Sequence, residues 1–263
     1  MLTKTVGKTN LLVMKSMIKK IFIFFGIEVK RNLSKVDFER RVQEELIYEA
    51  QRKFGSIYSV INVDKIVDVG SNEGQFVSSC ELIFKDVKYY CFEPLKDVFS
   101  LLSGKYSVNP KFSLFNLGLG SQEGSISINQ NEYSPSSSIL EMNEVHKNSF
   151  DFAKHNFIQE IQIQKLDSFV DRIQPDQFTL LKIDVQGYEL EVINGGGEFI
   201  KKVGTIIIEM SFQELYKNQP LFNDIYIKLI SLGFRYCGNI EQLYSPVNNQ
   251  ILQADCLFMK MPQ

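Results

Sequence analysis

The stretch Lys65-Ile-Val-Asp-Val-Gly-Ser-Asn-Glu-Gly-Gln-Phe76 decides the fold of this chain. Ile66 to Val69 is a short apolar run that only Asp68 interrupts, which is typical of a buried parallel strand. Gly70 and Gly74 then bracket a tight turn, and the apolar residues after the turn recur at helical spacing. The stretch therefore predicts a strand, a glycine turn and a helix. Free backbone N–H groups at the helix start would suit an anionic or polar ligand.

A second predicted strand, Tyr89–Phe92, ends at Glu93, and an acid about 20 residues after the first glycine commonly holds ribose hydroxyls. A nicotinamide dinucleotide needs G-x-G-x-x-G, whereas Asn72 and Gln75 replace two of those glycines here. The carboxylate of Asp68 suits an amino acid ammonium better than a pyrophosphate, which favours S-adenosylmethionine. A turn without a ligand is the alternative, but it leaves a costly buried carboxylate unexplained.

Strands and helices alternate from Ile66 onward, which predicts an α/β fold built on a mainly parallel sheet. The predicted core strands are Ile66–Val69, Tyr89–Phe92, Phe112–Phe115, Phe178–Ile183, Thr205–Ile208, Phe234–Cys237 and Cys256–Met259. Helices are predicted over 95–102, 188–199 and 221–232, and hairpin strands over 125–129 and 161–165.

Polar residues follow five of the predicted strands: Asp68–Gly70, Glu93, Asn116, Asp184 and Glu209. The carboxyl ends of parallel strands form the edge of the sheet at which ligands bind. We therefore expect Asp184 to lie beside Gly70, where it would face either the methionine end of the cofactor or an acceptor hydroxyl.

Transfer of a methyl group to a hydroxyl requires a base that takes the hydroxyl proton. Asp184 is one candidate, and Glu189 is a second, although a carboxylate there also suits a helix N-terminus. Residues 129–160 are polar and serine-rich, and predict a loop-and-helix insertion that covers the site as a lid. His146 and His155 lie on this insertion and could reach the site, or could be surface residues.

Several motifs together resemble the FkbM-type methyltransferases over about residues 60–260. They are Val67-Asp-Val-Gly-Ser-Asn-Glu-Gly74, Phe92-Glu-Pro94, Asn116-Leu-Gly-Leu-Gly120, Leu166-Asp167 and Leu181-Lys-Ile-Asp-Val-Gln-Gly-Tyr-Glu189. The resemblance implies a class I methyltransferase fold: a Rossmann-like, seven-stranded sheet, mostly parallel with an antiparallel last strand, and helices on both faces. It also implies S-adenosylmethionine as cofactor and a hydroxyl of a sugar or secondary metabolite as acceptor.

By the same resemblance, five residues would line the cofactor site: Asp68, Gly70, Asn72, Glu93 and Asn116. The predicted site also includes Ser71, Gly74, Pro94, Leu117 and Asp184. Related sequences often carry Glu where this chain has Gln186, which puts a catalytic role for position 186 in doubt. A cofactor-binding or scaffold protein without catalysis, and a methyltransferase acting on protein, are the alternative functions.

Composition excludes some classes of partner. The net charge of −2 offers no global basic field for nucleic acid, and only two histidines make a histidine-rich metal site unexpected. Cys80, Cys91, Cys237 and Cys256 form no CxxC pair. They are expected to be buried thiols, which suits a reducing cytoplasm.

Residues 1–59 are predicted to be an N-terminal extension ahead of a methyltransferase domain at 60–263. The apolar run within residues 11–27 is too short to span a bilayer, and no signal-peptide cleavage site follows it. Lysines beside aromatic residues favour a helix lying on an anionic membrane surface at the cytoplasmic side. A helix packed on the domain, or a disordered start, is the alternative.

Overall fold

The structure is a computed structural model that describes residues 44, 48–50, 62–131 and 156–261. The chain divides into two compact units, residues 1–51 and 52–263, and the second contains the elements below. Within the described ranges, no helix combines the length and the apolar character needed to cross a bilayer. The predicted membrane-contacting segment, residues 11–27, lies outside the described residues.

Ten strands and six α-helices make up the described part of the second unit. The strands are β1 (Lys65–Val69), β2 (Lys88–Phe92), β3 (Phe112–Phe115), β4 (Gly118–Leu119), β5 (Gly124–Asn131), β6 (Asn156–Gln164), β7 (Thr179–Ile183), β8 (Thr205–Ser211), β9 (Phe234–Tyr244) and β10 (Ile251–Lys260). The helices are α1 (Gln75–Glu81), α2 (Lys96–Tyr106), α3 (Val170–Ile173), α4 (Glu189–Asn194), α5 (Gly197–Ile200) and α6 (Phe222–Ser231). A 3₁₀ helix, Leu166–Phe169, precedes α3.

The main sheet has seven strands in the order β3-β2-β1-β7-β8-β10-β9. The pairs β2–β3, β1–β2, β1–β7 and β7–β8 are parallel, whereas β10 is antiparallel to both β8 and β9. This arrangement confirms the predicted mostly parallel sheet with an antiparallel last strand. It also places the carboxyl ends of β1, β2 and β7 side by side.

Alternate residues of the central strands point to opposite faces of the sheet. Val67 and Val69 of β1, together with Leu181 and Ile183 of β7, belong to a core cluster that also contains buried residues of α4, α5 and α6. The positions between them therefore lie on the opposite face. Asp68 of β1 is paired there in register with Lys182 of β7, so two charged residues are neighbours in the middle of the sheet.

A second, three-stranded sheet packs beside the ends of the main strands. In it β6 pairs in parallel with β4 and antiparallel with β5. Ile161 and Ile163 of β6 share a cluster with Leu95 and Val98, and Tyr188 packs against that cluster. The small sheet is thus fixed to the segments that follow β2 and β7.

The predicted loop-and-helix insertion is wrong at both of its ends. β5 continues to Asn131 and β6 starts at Asn156, with those two residues paired in register. The polar sequence gave no sign of these paired strands, since hydrogen bonding between backbones does not require apolar side chains. The remainder, residues 132–155 with His146 and His155, lies outside the described residues, so the lid stays a prediction.

Three further expectations need correction. The predicted helix 188–199 is two short helices separated by Gly195 and Gly196, and a Cβ on Gly195 would lie 1.9 Å from the Gly120 carbonyl oxygen. Glu209 lies inside β8, opposite Asp255, rather than after its end. Cys237 is exposed, whereas the other three cysteines are buried as expected.

Candidate active site

The glycine turn after β1 uses its own N–H groups. Gly70, Asn72 and Gly74 all have positive φ, at 83°, 49° and 87°. The N–H groups of Gly70 and Ser71 donate to the Phe92 carbonyl at 3.0 and 2.9 Å, and the N–H group of Asn72 donates to Glu93 Oε2 at 3.0 Å. Within the turn, the N–H group of Glu73 donates to Asn72 Oδ1 at 2.8 Å, and the N–H group of Gly74 donates to the Ser71 carbonyl at 2.8 Å. The N–H groups of residues 70–74 therefore all have partners within the chain. The expectation of free N–H groups concerned the helix start, from Gln75 onward, and stays a prediction.

Glu93 ties the loop after β2 to the glycine turn. Its carboxylate accepts the N–H groups of Asn72 at 3.0 Å and Leu95 at 2.8 Å, and only 5% of the residue is exposed. Burial raises the pKa of Glu93 to about 7, although the two backbone hydrogen bonds work against this rise. The site thus holds a carboxyl group that titrates near neutral pH.

Asn116 secures the same loop from the other side. Its Nδ2 donates to the carbonyls of Glu93 and Pro94, at 2.9 and 3.0 Å. Asn116 is exposed, and the following Leu117 packs against the main core. The structure therefore brings Glu93, Pro94 and Asn116 together with the glycine turn.

Asp68 is fully buried, and neither of its carboxylate oxygens has a hydrogen-bond partner within the described ranges. The hydroxyl of Ser71 donates to its backbone carbonyl at 2.8 Å. Burial raises the pKa of Asp68 to about 6, and the charge of Lys182 opposes the rise. A buried carboxylate without a hydrogen bond is costly, and the charge of Lys182, its neighbour across the sheet, offsets part of this cost.

Asp184 lies directly beside the glycine turn. Its backbone N–H donates to the Val69 carbonyl at 3.0 Å, and a Cβ on Gly70 would lie only 1.8 Å from the Asp184 carbonyl oxygen. The predicted proximity of Asp184 and Gly70 is therefore present. The Asp184 carboxylate accepts hydrogen bonds from Lys182 Nζ at 2.7 Å and from Gln186 Nε2 at 2.8 Å.

Lys182 is a site residue that the sequence analysis missed. It is 6% exposed, and it lies between Asp68 and Asp184. Burial alone lowers the pKa of Lys182, but the carboxylates of Asp184, Asp255 and Asp68 outweigh burial and raise it above its usual value, so the side chain stays charged. The signal was a charge inside an apolar strand, the same feature that marked Asp68.

Glu189 closes the turn between β7 and α4. Its Oε1 accepts the N–H groups of Val185 and Gly187, at 3.1 and 3.0 Å, and the residue is 3% exposed. Burial raises the pKa of Glu189 to about 7. These contacts support the alternative role, a carboxylate that stabilises a helix start. Its role as a base stays a prediction.

The residues at the ends of β1, β2 and β7 therefore present carboxylates, while the turn between them has no free donor for phosphate. This set of groups fits a cationic cofactor that carries a ribose and lacks a pyrophosphate. The strand order is that of the class I, Rossmann-like methyltransferase fold.

The family described as Methyltransferase FkbM domain matches residues 68–236, more than half of the chain, and the chain belongs to this family. The assignment confirms the predicted enzyme class and its cofactor, S-adenosylmethionine. The glycine turn, Glu93 and Asp184 all lie within the matched range.

Two curated relatives carry names of methyltransferases. The 2-O-methyltransferase NoeI of Sinorhizobium fredii is 26% identical over 163 residues, 59% of this chain and 66% of that protein. The hexuronic acid methyltransferase AglP of Haloferax volcanii is 29% identical over 148 residues, 56% of each chain. The matches thus span between about half and two thirds of these relatives. A solved FkbM methyltransferase from Methylobacillus flagellatus covers 93% of this chain and 70% of its own, with 14% identity and a TM-score of 0.47.

Proposed function

We propose that the chain transfers a methyl group from S-adenosylmethionine to a hydroxyl of a sugar, in a glycan intermediate or a secondary metabolite. The observation that carries the proposal is the carboxylate set Asp68, Glu93 and Asp184 around a turn without free donors. The relatives' names, a 2-O-methyltransferase and a hexuronic acid methyltransferase, support a sugar hydroxyl as acceptor.

The cofactor, when bound, supplies an electrophilic methyl group on a positively charged sulfur. The chain's own residues then have two tasks. The glycine turn and Glu93 would hold the cofactor's amino acid and ribose ends, which orients the reacting centre. A base takes the acceptor proton, and Asp184, Glu189 and His146 remain the candidates; Asp184 lies directly beside the turn.

The hypothesis that residues 11–27 contact the membrane, where a lipid-linked glycan would be available, stays a prediction. Those residues lie outside the described ones.

The first test separates cofactors and then acceptors. In calorimetry the purified protein should bind S-adenosylmethionine and give no heat with NAD, because Asp68 suits an ammonium rather than a pyrophosphate and the chain lacks G-x-G-x-x-G. With methyl-labelled cofactor, label should appear in sugar acceptors such as hexuronic acid glycosides, and not in protein or nucleic acid. Binding of NAD alone would contradict the cofactor assignment. Cofactor binding without transfer to any sugar, hydroxylated metabolite or protein would favour the non-catalytic alternative.

Cofactor affinity should depend on pH between about 5.5 and 7.5. The pKa values of Asp68 and Glu93 are raised to about 6 and about 7, so both carboxyl groups become protonated as pH falls through this range. A protonated carboxyl attracts the cofactor's positive charges less and accepts weaker hydrogen bonds from ribose. The affinity for S-adenosylmethionine, measured by calorimetry, should therefore fall with falling pH, and Glu93→Gln should make the dependence shallower. An affinity that is constant across the range would contradict this assignment.

A further inference from the structure

Gln186 connects two acidic side chains at the edge of the sheet. Its Nε2 donates to Asp184 Oδ1 at 2.8 Å and to Glu209 Oε2 at 2.7 Å. Its backbone has φ 52°, the left-handed conformation, and Gly187 follows with φ 98°. The side chain thus reaches both neighbouring strands, β7 and β8, from the turn that leaves β7.

The other end of the amide is fixed as well. The buried hydroxyl of Tyr216 donates to Gln186 Oε1 at 2.8 Å. Burial raises the pKa of Tyr216 well above its usual value, so the hydroxyl keeps its proton at every working pH. Because Tyr216 donates to the amide oxygen, the amide NH₂ group must face the two carboxylates.

Two carboxyl groups that approach one another are stabilised by a donor between them, since their charges would repel if both were ionised. Gln186 provides the two N–H groups from one nitrogen, and Gln253 Nε2 adds a further bond to Glu209 Oε2 at 2.8 Å. Burial raises the pKa of Glu209 well above its usual value, and the charges of Asp184, Asp255 and Glu189 raise it further, while Lys182 lowers it. Next to the carboxyl groups of Asp184 and Glu209, the uncharged amide of Gln186 is therefore more favourable than a third carboxyl group.

We infer that Gln186 is a positioning residue: its amide, oriented by the Tyr216 hydroxyl, holds the Asp184 carboxylate toward the positively charged sulfur at the methionine end of the cofactor. This inference rests on the proposed function, because it needs S-adenosylmethionine in the site beside Gly70. It gives Gln186 a task that depends on an uncharged amide.

The first experiment tests the bridge without any ligand. In Gln186→Glu, the new carboxyl group faces Asp184 and Glu209, so ionisation of it should be resisted in the folded state. The loss in melting temperature relative to wild type should therefore be small near pH 5 and widen toward pH 8. Gln242→Glu is the matched control, because Gln242 is exposed and also accepts a hydrogen bond from a tyrosine hydroxyl, that of Tyr244 at 2.7 Å. Its loss should stay small at every pH. If the loss in melting temperature of Gln186→Glu depends on pH as little as that of the control, Gln186 does not connect Asp184 and Glu209.

The second experiment tests the link to the cofactor by calorimetry at pH 7.5. Gln186→Leu removes the donors, and its affinity for S-adenosylmethionine should fall about tenfold or more, as expected for a misplaced charged partner. S-adenosylhomocysteine lacks the charge on sulfur, so its affinity should fall clearly less. Tyr216→Phe, which removes only the hydroxyl, should also lose more affinity for S-adenosylmethionine than for S-adenosylhomocysteine, with smaller losses than the leucine variant. It replaces the leucine variant if that variant does not fold.

Equal losses for the two ligands, or no loss, would show that Gln186 does not orient Asp184 toward the cofactor. If the wild-type protein binds neither ligand, the proposed function fails instead, and the pH experiment still decides whether the bridge exists. The two failures are therefore distinguishable.

Discussion

Gly70→Ala is expected to abolish measurable binding of S-adenosylmethionine, with an affinity loss of at least about 100-fold, and to destabilise the fold by about 2–5 kcal/mol. Gly70 has φ 83°, and a Cβ there would lie 1.8 Å from the Asp184 carbonyl oxygen and 2.9 Å from its carbon. Backbone atoms cannot move aside as a flexible side chain can. The turn would have to separate from β7, which breaks the arrangement that joins Asp68, Glu93 and Asp184.

Gly104→Ala is the matched control for this variant. Gly104 lies inside α2, and a Cβ there meets no atom within 4 Å. Alanine should stabilise the helix by roughly 0.5–1 kcal/mol and leave cofactor affinity unchanged. Urea unfolding and calorimetry on both variants would check the pair. Wild-type affinity in Gly70→Ala would mean that the glycine turn is not the cofactor site.

Glu93→Ala is expected to weaken cofactor binding by about 1.5–3 kcal/mol, through lost charge-assisted hydrogen bonds to ribose. The structure adds a second effect, because the same carboxylate accepts the N–H groups of Asn72 and Leu95. Removing it leaves two N–H donors without an acceptor, each costing about 1–3 kcal/mol. Both cofactor affinity and the free energy of unfolding should therefore fall in this variant.

Glu198→Ala provides the comparison, since Glu198 is an exposed acid on α5 that pairs with Lys201 at 2.6 Å. It should change neither cofactor affinity nor unfolding. If Glu93→Ala loses stability but keeps its cofactor affinity, Glu93 would serve only the chain's own loops. If it loses neither, Glu93 neither contacts the cofactor nor holds the two loops together.

Much of the fold could be predicted because it depends on local patterns. The alternating strands and helices, the short apolar runs and the two turn glycines located β1, β2, β3, β7 and β8 to within a few residues. Asp68 could be singled out because a charge inside an apolar strand needs a reason. Lys182 carries the same signal in β7, and only the register of β1 against β7 shows that the two are neighbours.

Other features could not be predicted, because they depend on which strands meet. The strand ladder that extends β5 and β6 has a polar sequence, and pairing across the hairpin rather than apolar alternation makes it a strand. Glu209 appeared to follow its strand, but antiparallel pairing with β10 continues the strand beyond it.

The sequence by itself determined the α/β order, the glycine turn and the polar residues at the strand ends, because hydrophobic period and backbone freedom act over a few residues. Only the tertiary structure decided which donors and acceptors find one another. In the structure, the N–H groups of the turn are hydrogen-bonded within the chain, whereas the Asp68 carboxylate has no hydrogen-bond partner among the described residues. The Gln186 amide is hydrogen-bonded to Glu209 and Tyr216. Hydrogen bonds depend on distances of a few tenths of an ångström between residues far apart in sequence, and strand order and register fix those distances.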